Sequence, residues 1–151
     1  MRVERVMRHE QPIVGIHQVI AIDDLSDFLG RAYGCVSGEL ARLGLRPSGP
    51  PVALYAGDVS EKVDVVAGFP VTQLVLPGEG FVATSLPGGA GVETVHHGTY
   101  DEMGRIYVDL LAWLAERDLE PARQTWEEYL AGPDTEADPA RWCTRIVYPL
   151  A

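Results

Sequence analysis

The chain has 151 residues, 46% of them hydrophobic and 23% charged, with a formal net charge of −10. This is the composition of a globular protein with one core, or of two small halves sharing one. The acidity and the scattered basic residues argue against nucleic acid as a direct partner, because a DNA-binding face needs clustered cations that release counterions from phosphate.

No apolar run reaches membrane-spanning length, and the arginine-bearing start MRVERVMRHE is no secretory signal. The expected location is therefore the cytoplasm, with no membrane partner. Cys35 and Cys143 fit no redox or metal spacing and read as small buried residues. His9, His17, His96 and His97 lack metal-ligand spacing, so neither metal nor cofactor is expected.

In chain order, PIVGIHQVI reads as a strand. A helix follows, with Leu25, Leu29, Tyr33, Val36, Leu40 and Leu43 as its apolar stripe and Pro47 after its end. Gly30, Gly34 and Gly38 lie on one side of that helix, which implies close backbone packing or a groove beside it. PVALYAG and VDVVAGFPV are two further strands, and loops at PGEG and LPGG lead into the second half. There GVETVHHG is a strand, Thr99 and Glu102 read as a capping box, and Met103, Tyr107, Leu110, Leu111 and Leu114 form the stripe of a second helix. TWEEYLAG and WCTRIVYPL close the chain as strands.

The order of elements repeats, and so do the residues. Asp27, Gly30, Arg31, Tyr33, Leu40, Ala41, Leu45 and Pro47 recur 74 positions later as Asp101, Gly104, Arg105, Tyr107, Leu114, Ala115, Leu119 and Pro121. Tyr55 falls on Tyr129 at the same offset, and GFPV resembles VYPL at an offset of 79. The second half thus carries a short insertion at GPDTEADPA. We read an internal duplication, with repeats of about 1–78 and 79–151 inside a single domain over 1–151. The expected fold is α+β: two pseudo-symmetric β-α-β-β repeats sharing an antiparallel sheet, with the helices on one face.

One strand raises a chemical question. In WEEYLAG, alternation puts Trp126, Glu128 and Leu130 on one face and Thr125, Glu127 and Tyr129 on the other. Whichever face is buried, a carboxylate goes with it, and an unpaired buried carboxylate is costly.

The succession LPGG, HHGTYDEMG, WEEYLAGP and WCTRIVYPL resembles the GyrI-like small-molecule-binding family, which also supplies the effector-binding domain of AraC- and MerR-type regulators. The family's His-x-Gly-Pro-Tyr turn falls on His96 to Tyr100, with Thr99 in place of proline. Its Glu-x-Tyr strand falls on Glu127 to Tyr129 with Pro133, and its Ile-x-x-Pro-Leu strand on Ile146 to Leu150.

The resemblance implies a groove between the repeats with Glu127 in it and Ala53 at the equivalent place in the first half. Glu128 is expected on the opposite face, toward solvent or the back of the sheet. The implied ligands are lipophilic or cationic aromatic small molecules, held by Glu127, Tyr129, Tyr107, Tyr148, Tyr33, Tyr55, Phe69, Trp113 and Trp142. Cation–π contacts of about 0.5–2 kcal/mol each would add to apolar burial. The alternatives left open are a hydrolase of cyclopropane-bearing DNA-alkylating compounds, with Glu127 and Tyr129 catalytic, and an inhibitor of DNA gyrase. Gyrase or a regulator chain would then be the protein partner. A structural glutamate paired with Arg145 or Arg105 is the competing reading of Glu127. His96 reads as a turn-locking residue.

Overall fold

The computed structural model describes residues 1–57 and 61–151. Among the described residues, eight strands form one antiparallel sheet: β1 (Val3–Arg8), β2 (Gln11–Ala21), β3 (Val52–Ala56), β4 (Lys62–Pro70), β5 (Val82–Leu86), β6 (Gly89–His97), β7 (Gln124–Ala131) and β8 (Cys143–Pro149). Their spatial order is β1-β6-β8-β7-β3-β4-β2-β5. Two helices, α1 (Leu25–Arg42) and α2 (Met103–Glu116), pack on one face. This is the α+β architecture that the repeated pattern implies.

Each half also has a strand that the pattern does not announce. VERVMR (β1) buries no residue fully, and VATSL (β5) is short, so neither shows a strong alternation. Both are edge strands, and each pairs with the other half: β1 with β6, β5 with β2. Only His9 and Glu10 separate β1 from β2, although the two strands lie toward opposite ends of the sheet. The sheet must therefore curl until its ends approach. The crossovers β1–β2 and β5–β6 touch there. A Cβ on Gly88 would sit 2.7 Å from the Glu10 nitrogen and 3.2 Å from the Arg8 carbonyl oxygen, so only glycine fits.

On the helix face, α1 buries Phe28, Ala32, Val36 and Leu40 over β2, β3 and β4, with Tyr33 at the margin of this core. α2 buries Leu110 and Leu114 against Val92 and Ile146. The opposite face carries its own cluster of Ile13, Val52, Leu54, Leu86, Trp126 and Val147 inside the curl.

Four local expectations are corrected. Thr99 makes no capping hydrogen bond, because the chain enters α2 through a 3-10 turn at Tyr100–Glu102. Gly30, Gly34 and Gly38 are exposed, and an added Cβ would meet nothing within 4 Å, so they mark no close packing. Cys35 is exposed and Cys143 half-buried, since neither falls on a core-facing position. Glu128 is buried rather than solvent-facing, because the curl encloses the back of β7.

Candidate functional site

β3 and β7 pair at the centre of the sheet with Ala53 opposite Glu127. These are also repeat mates, 74 positions apart (127 − 53 = 74). The register around them is symmetric. Tyr55 faces Thr125, and the Tyr129 N–H donates to the Pro51 carbonyl. The local pseudo-twofold therefore passes through the Ala53–Glu127 pair. Glutamate in both positions would set two carboxylates directly opposite, a repulsive cross-strand pair. Alanine on one side leaves a single carboxylate on the axis.

The four tyrosines of the repeat surround that carboxylate as two mated pairs. Tyr107 on α2 donates its hydroxyl to Glu127 Oε2 at 2.6 Å. Tyr129, two residues along the strand, donates to Oε1 at 2.6 Å. Tyr33 on α1 donates instead to the Val52 carbonyl at 3.0 Å, and Tyr55 packs with Tyr33 and Tyr129 in the same cluster. Both Glu127 oxygens are thus bonded to phenols, and the described residues include no cation paired with it.

Burial raises the Glu127 pKa, against the two phenol hydrogen bonds, which lower it. The phenols move with it. Burial first, and then the Glu127 charge, push Tyr107, Tyr129, Tyr55 and Tyr100 above the ordinary phenol value; Tyr33 rises chiefly by burial. The five hydroxyls remain neutral through the physiological range.

An aromatic chain extends from this centre. Phe69 meets Tyr33 edge to face at 5.7 Å between centroids, and Tyr33 meets Tyr129 at 6.2 Å. Tyr129 meets Tyr100 at 6.0 Å, and Tyr100 stacks on Trp142 at 5.2 Å. Trp142 is anchored by its indole N–H to the Glu136 carbonyl at 2.9 Å, inside the insertion of the second half. His96 lies buried at the turn before α2 and bonds the Thr99 carbonyl oxygen at 2.7 Å, the turn-locking arrangement its position implies.

Seven of the nine residues expected at the site therefore converge: Glu127, Tyr129, Tyr107, Tyr33, Tyr55, Phe69 and Trp142. Trp113 does not. It sits about 120° around α2 from Tyr107, six residues on, packs in the core under the second helix and carries Arg117 over its ring at 3.8 Å. Tyr148 shares the helix face and packs on the core under α2. With Leu111 and Thr125 it lines a separate cavity of about 240 Å³.

Two features of the site carry little local signal. Tyr100 bridges Tyr129 and Trp142, and its only signal was a place in the His-to-Tyr turn. Thr144, opposite Tyr129 in the register, is fully buried, and its hydroxyl has no partner among the described residues.

The back of β7 is as ordered as its front. Glu128 accepts from Arg145 Nη1 at 2.7 Å, Arg8 Nη1 at 3.1 Å and the Trp126 indole N–H at 2.9 Å. Arg8 Nη2 also donates to Glu93 at 2.6 Å. Arg145 thus pairs with Glu128, not Glu127; the register places it on the back face. Beside this cluster is a cavity of about 370 Å³, bounded by Arg8, Pro50, Pro70, Leu86, Trp126 and Glu128. It lies across the sheet from Glu127.

Fold and site together define an α+β domain with an aromatic cluster around a buried carboxylate. The family model for the GyrI-like small molecule binding domain matches residues 1–151, and the chain belongs to that family. Comparison with curated protein sequences yields no match. Among solved structures, the EcmrR C-terminal domain is 17% identical with a TM-score of 0.79, and the alignment covers 99% of this chain and 96% of that one. In the EcmrR–DNA complex the chain spans 56% of the EcmrR chain, at 19% identity and a TM-score of 0.81, with 99% of this chain covered. SAV2435 bound to tetraphenylphosphonium is 12% identical with a TM-score of 0.73, covering 100% of this chain and 94% of that one. A hydrolase from Listeria innocua is 13% identical with a TM-score of 0.66, covering 99% and 92%. At these identities the likeness is one of fold.

Proposed function

We propose that the chain binds lipophilic, cationic aromatic small molecules in the groove between its repeats, for sequestration or sensing, with Glu127 as the charge partner. The observation that carries this reading is the buried Glu127 carboxylate. Among the described residues its oxygens accept only from neutral phenols, and five aromatic rings run past it. A cation supplies the charge the site lacks. The rings supply apolar area and cation–π attraction without fixed geometry, so specificity is broad. The SAV2435 neighbour, solved with a lipophilic phosphonium cation, supports the ligand class.

The test is saturation binding of a planar cationic dye such as a rhodamine, read by fluorescence anisotropy. A hydrogen bond or ion pair to a charged group contributes about 1.5–3 kcal/mol, so Glu127→Gln weakens the dye roughly 10- to 100-fold. A neutral aromatic of similar shape loses much less. Equal losses for both ligands would remove Glu127 as the source of charge selectivity.

The phenol pair on Glu127 favours one second reading, hydrolysis of a strained electrophile, which the hydrolase among the structural neighbours also supports. Glu127 would take a proton from water as the water oxygen bonds to a cyclopropane carbon. The ring C–C electron pair would pass to a conjugated acceptor, which a phenol protonates. Product formation that survives unchanged in Glu127→Gln would exclude this mechanism.

A further inference from the structure

Among the described residues, the titratable groups that interact with Glu127 on its own side of the sheet are phenols: Tyr107 from α2, Tyr33 from α1, Tyr55 from β3, Tyr129 from β7, and Tyr100 from the turn before α2. None supplies positive charge. Ordered cations lie through the backbone, on the other side of the same strand. There Arg8 and Arg145 hold Glu128, the residue next to Glu127, and share Glu93. The four charges sum to zero. Without the arginines, the position adjacent to Glu127 would carry an uncompensated buried anion, across a strand too thin to screen it.

We infer that Arg8 and Arg145 are positioning residues for the groove: by neutralising Glu128 from the back of the sheet, they set the protonation of Glu127 and so the pH range in which the groove attracts a cation. This rests on the reading of Glu127 as the charge partner. The geometry behind it is independent of any ligand. β7 must send consecutive side chains to opposite faces, and its register with β8 brings Arg145 opposite Glu128. The curl brings Arg8 from the end of β1 to the same carboxylate at 3.1 Å. Trp126 completes the cluster from within β7 and carries the Arg8 guanidinium at 5.8 Å from its ring centroid.

The inference predicts shifts of opposite sign. Arg145→Met or Arg8→Met leaves the cluster one charge negative. The pH at which Glu127 is half-protonated then rises by roughly one unit, the scale of a unit charge in a protein-like dielectric at this range. Glu128→Gln leaves the cluster one charge positive, and the midpoint falls. The double variant Glu128→Gln with Arg145→Met restores neutrality and returns it close to wild type. A purely structural role predicts no such sign reversal.

The experiment follows the Glu127 carboxyl carbon by carbon-13 NMR through a pH titration of each folded variant, with Glu127→Gln identifying the resonance. Rhodamine affinity is measured across the same range. Opposite shifts for the arginine and glutamate variants, restored in the double, support the inference. Midpoints that coincide in all variants overturn it. If one single variant fails to fold, the remaining arginine and the double variant carry the same comparison. A wild type that titrates with these shifts yet binds no cationic dye refutes the ligand reading and leaves the electrostatic one standing.

Discussion

Glu128→Gln is the perturbation whose effect depends most on the structure. From strand alternation alone, Glu128 faces away from the groove and looks dispensable. In the fold its side chain is 9% exposed and accepts from two guanidinium groups and an indole. A hydrogen bond to a charged group contributes about 1.5–3 kcal/mol, and removing one partner of a buried ion pair costs about 3–5 kcal/mol. Two facts lower the figure here. The arginine side chains are 28% and 30% exposed, so water screens them, and Glu93 remains as a second acceptor for Arg8. The substitution should therefore cost about 2–3 kcal/mol. For a chain of this size that is a fall in Tm of roughly 5–10 °C. Urea unfolding monitored by circular dichroism measures it. A double-mutant cycle with Arg145→Met should return a coupling of about 1 kcal/mol or more. A loss below about 0.5 kcal/mol, or any gain, would mean that the cluster is solvated and that the curled back face does not enclose it.

Glu127→Gln should act in the opposite direction. A carboxylate whose pKa is raised by folding binds its proton more tightly in the native state, so it lowers stability as pH rises from the ordinary carboxylate value through the folded one. The variant should melt higher than wild type at neutral pH, with the gap closing on acidification through that window; equal melting at both pH values would contradict the burial argument. Ala53→Glu should place a second carboxylate opposite the first, leaving one of the two protonated near neutrality and lowering stability by about 1–3 kcal/mol in chemical denaturation. Thr144→Val removes a buried hydroxyl without a partner in the described residues and should be neutral or stabilising by up to about 1 kcal/mol in the same assay. Glu39 on α1 is held down to about 2 by Arg42 and by the Gly78 N–H, which it meets at 2.6 Å. Its stabilising contribution is complete above the ordinary carboxylate value of 4.5 and is lost as pH falls toward 2, so Glu39→Gln should flatten the acid limb of a pH–stability profile.

The two helices, six of the eight strands and the residue types gathered at the centre are legible in the local pattern. These follow from local periodicity and from a repeat that places Tyr33 on Tyr107 and Tyr55 on Tyr129. Alternation in WEEYLAG was enough to separate Glu127 from Glu128. What each carboxylate meets follows from long-range pairing instead. β1 and β5 have weak patterns because they are edge strands, and their exchange between halves is what curls the sheet. The curl buries the back of β7, so Glu128 needs the two arginines that alternation alone would have left in solvent. The same long-range pairing sets Ala53 against Glu127 and brings Tyr107 to it from a helix twenty residues earlier in the chain. Trp113 shows the limit from the other side: its helix was legible, but the side of the helix that meets the groove is fixed by how α2 docks on β6 and β8, and no local pattern encodes that.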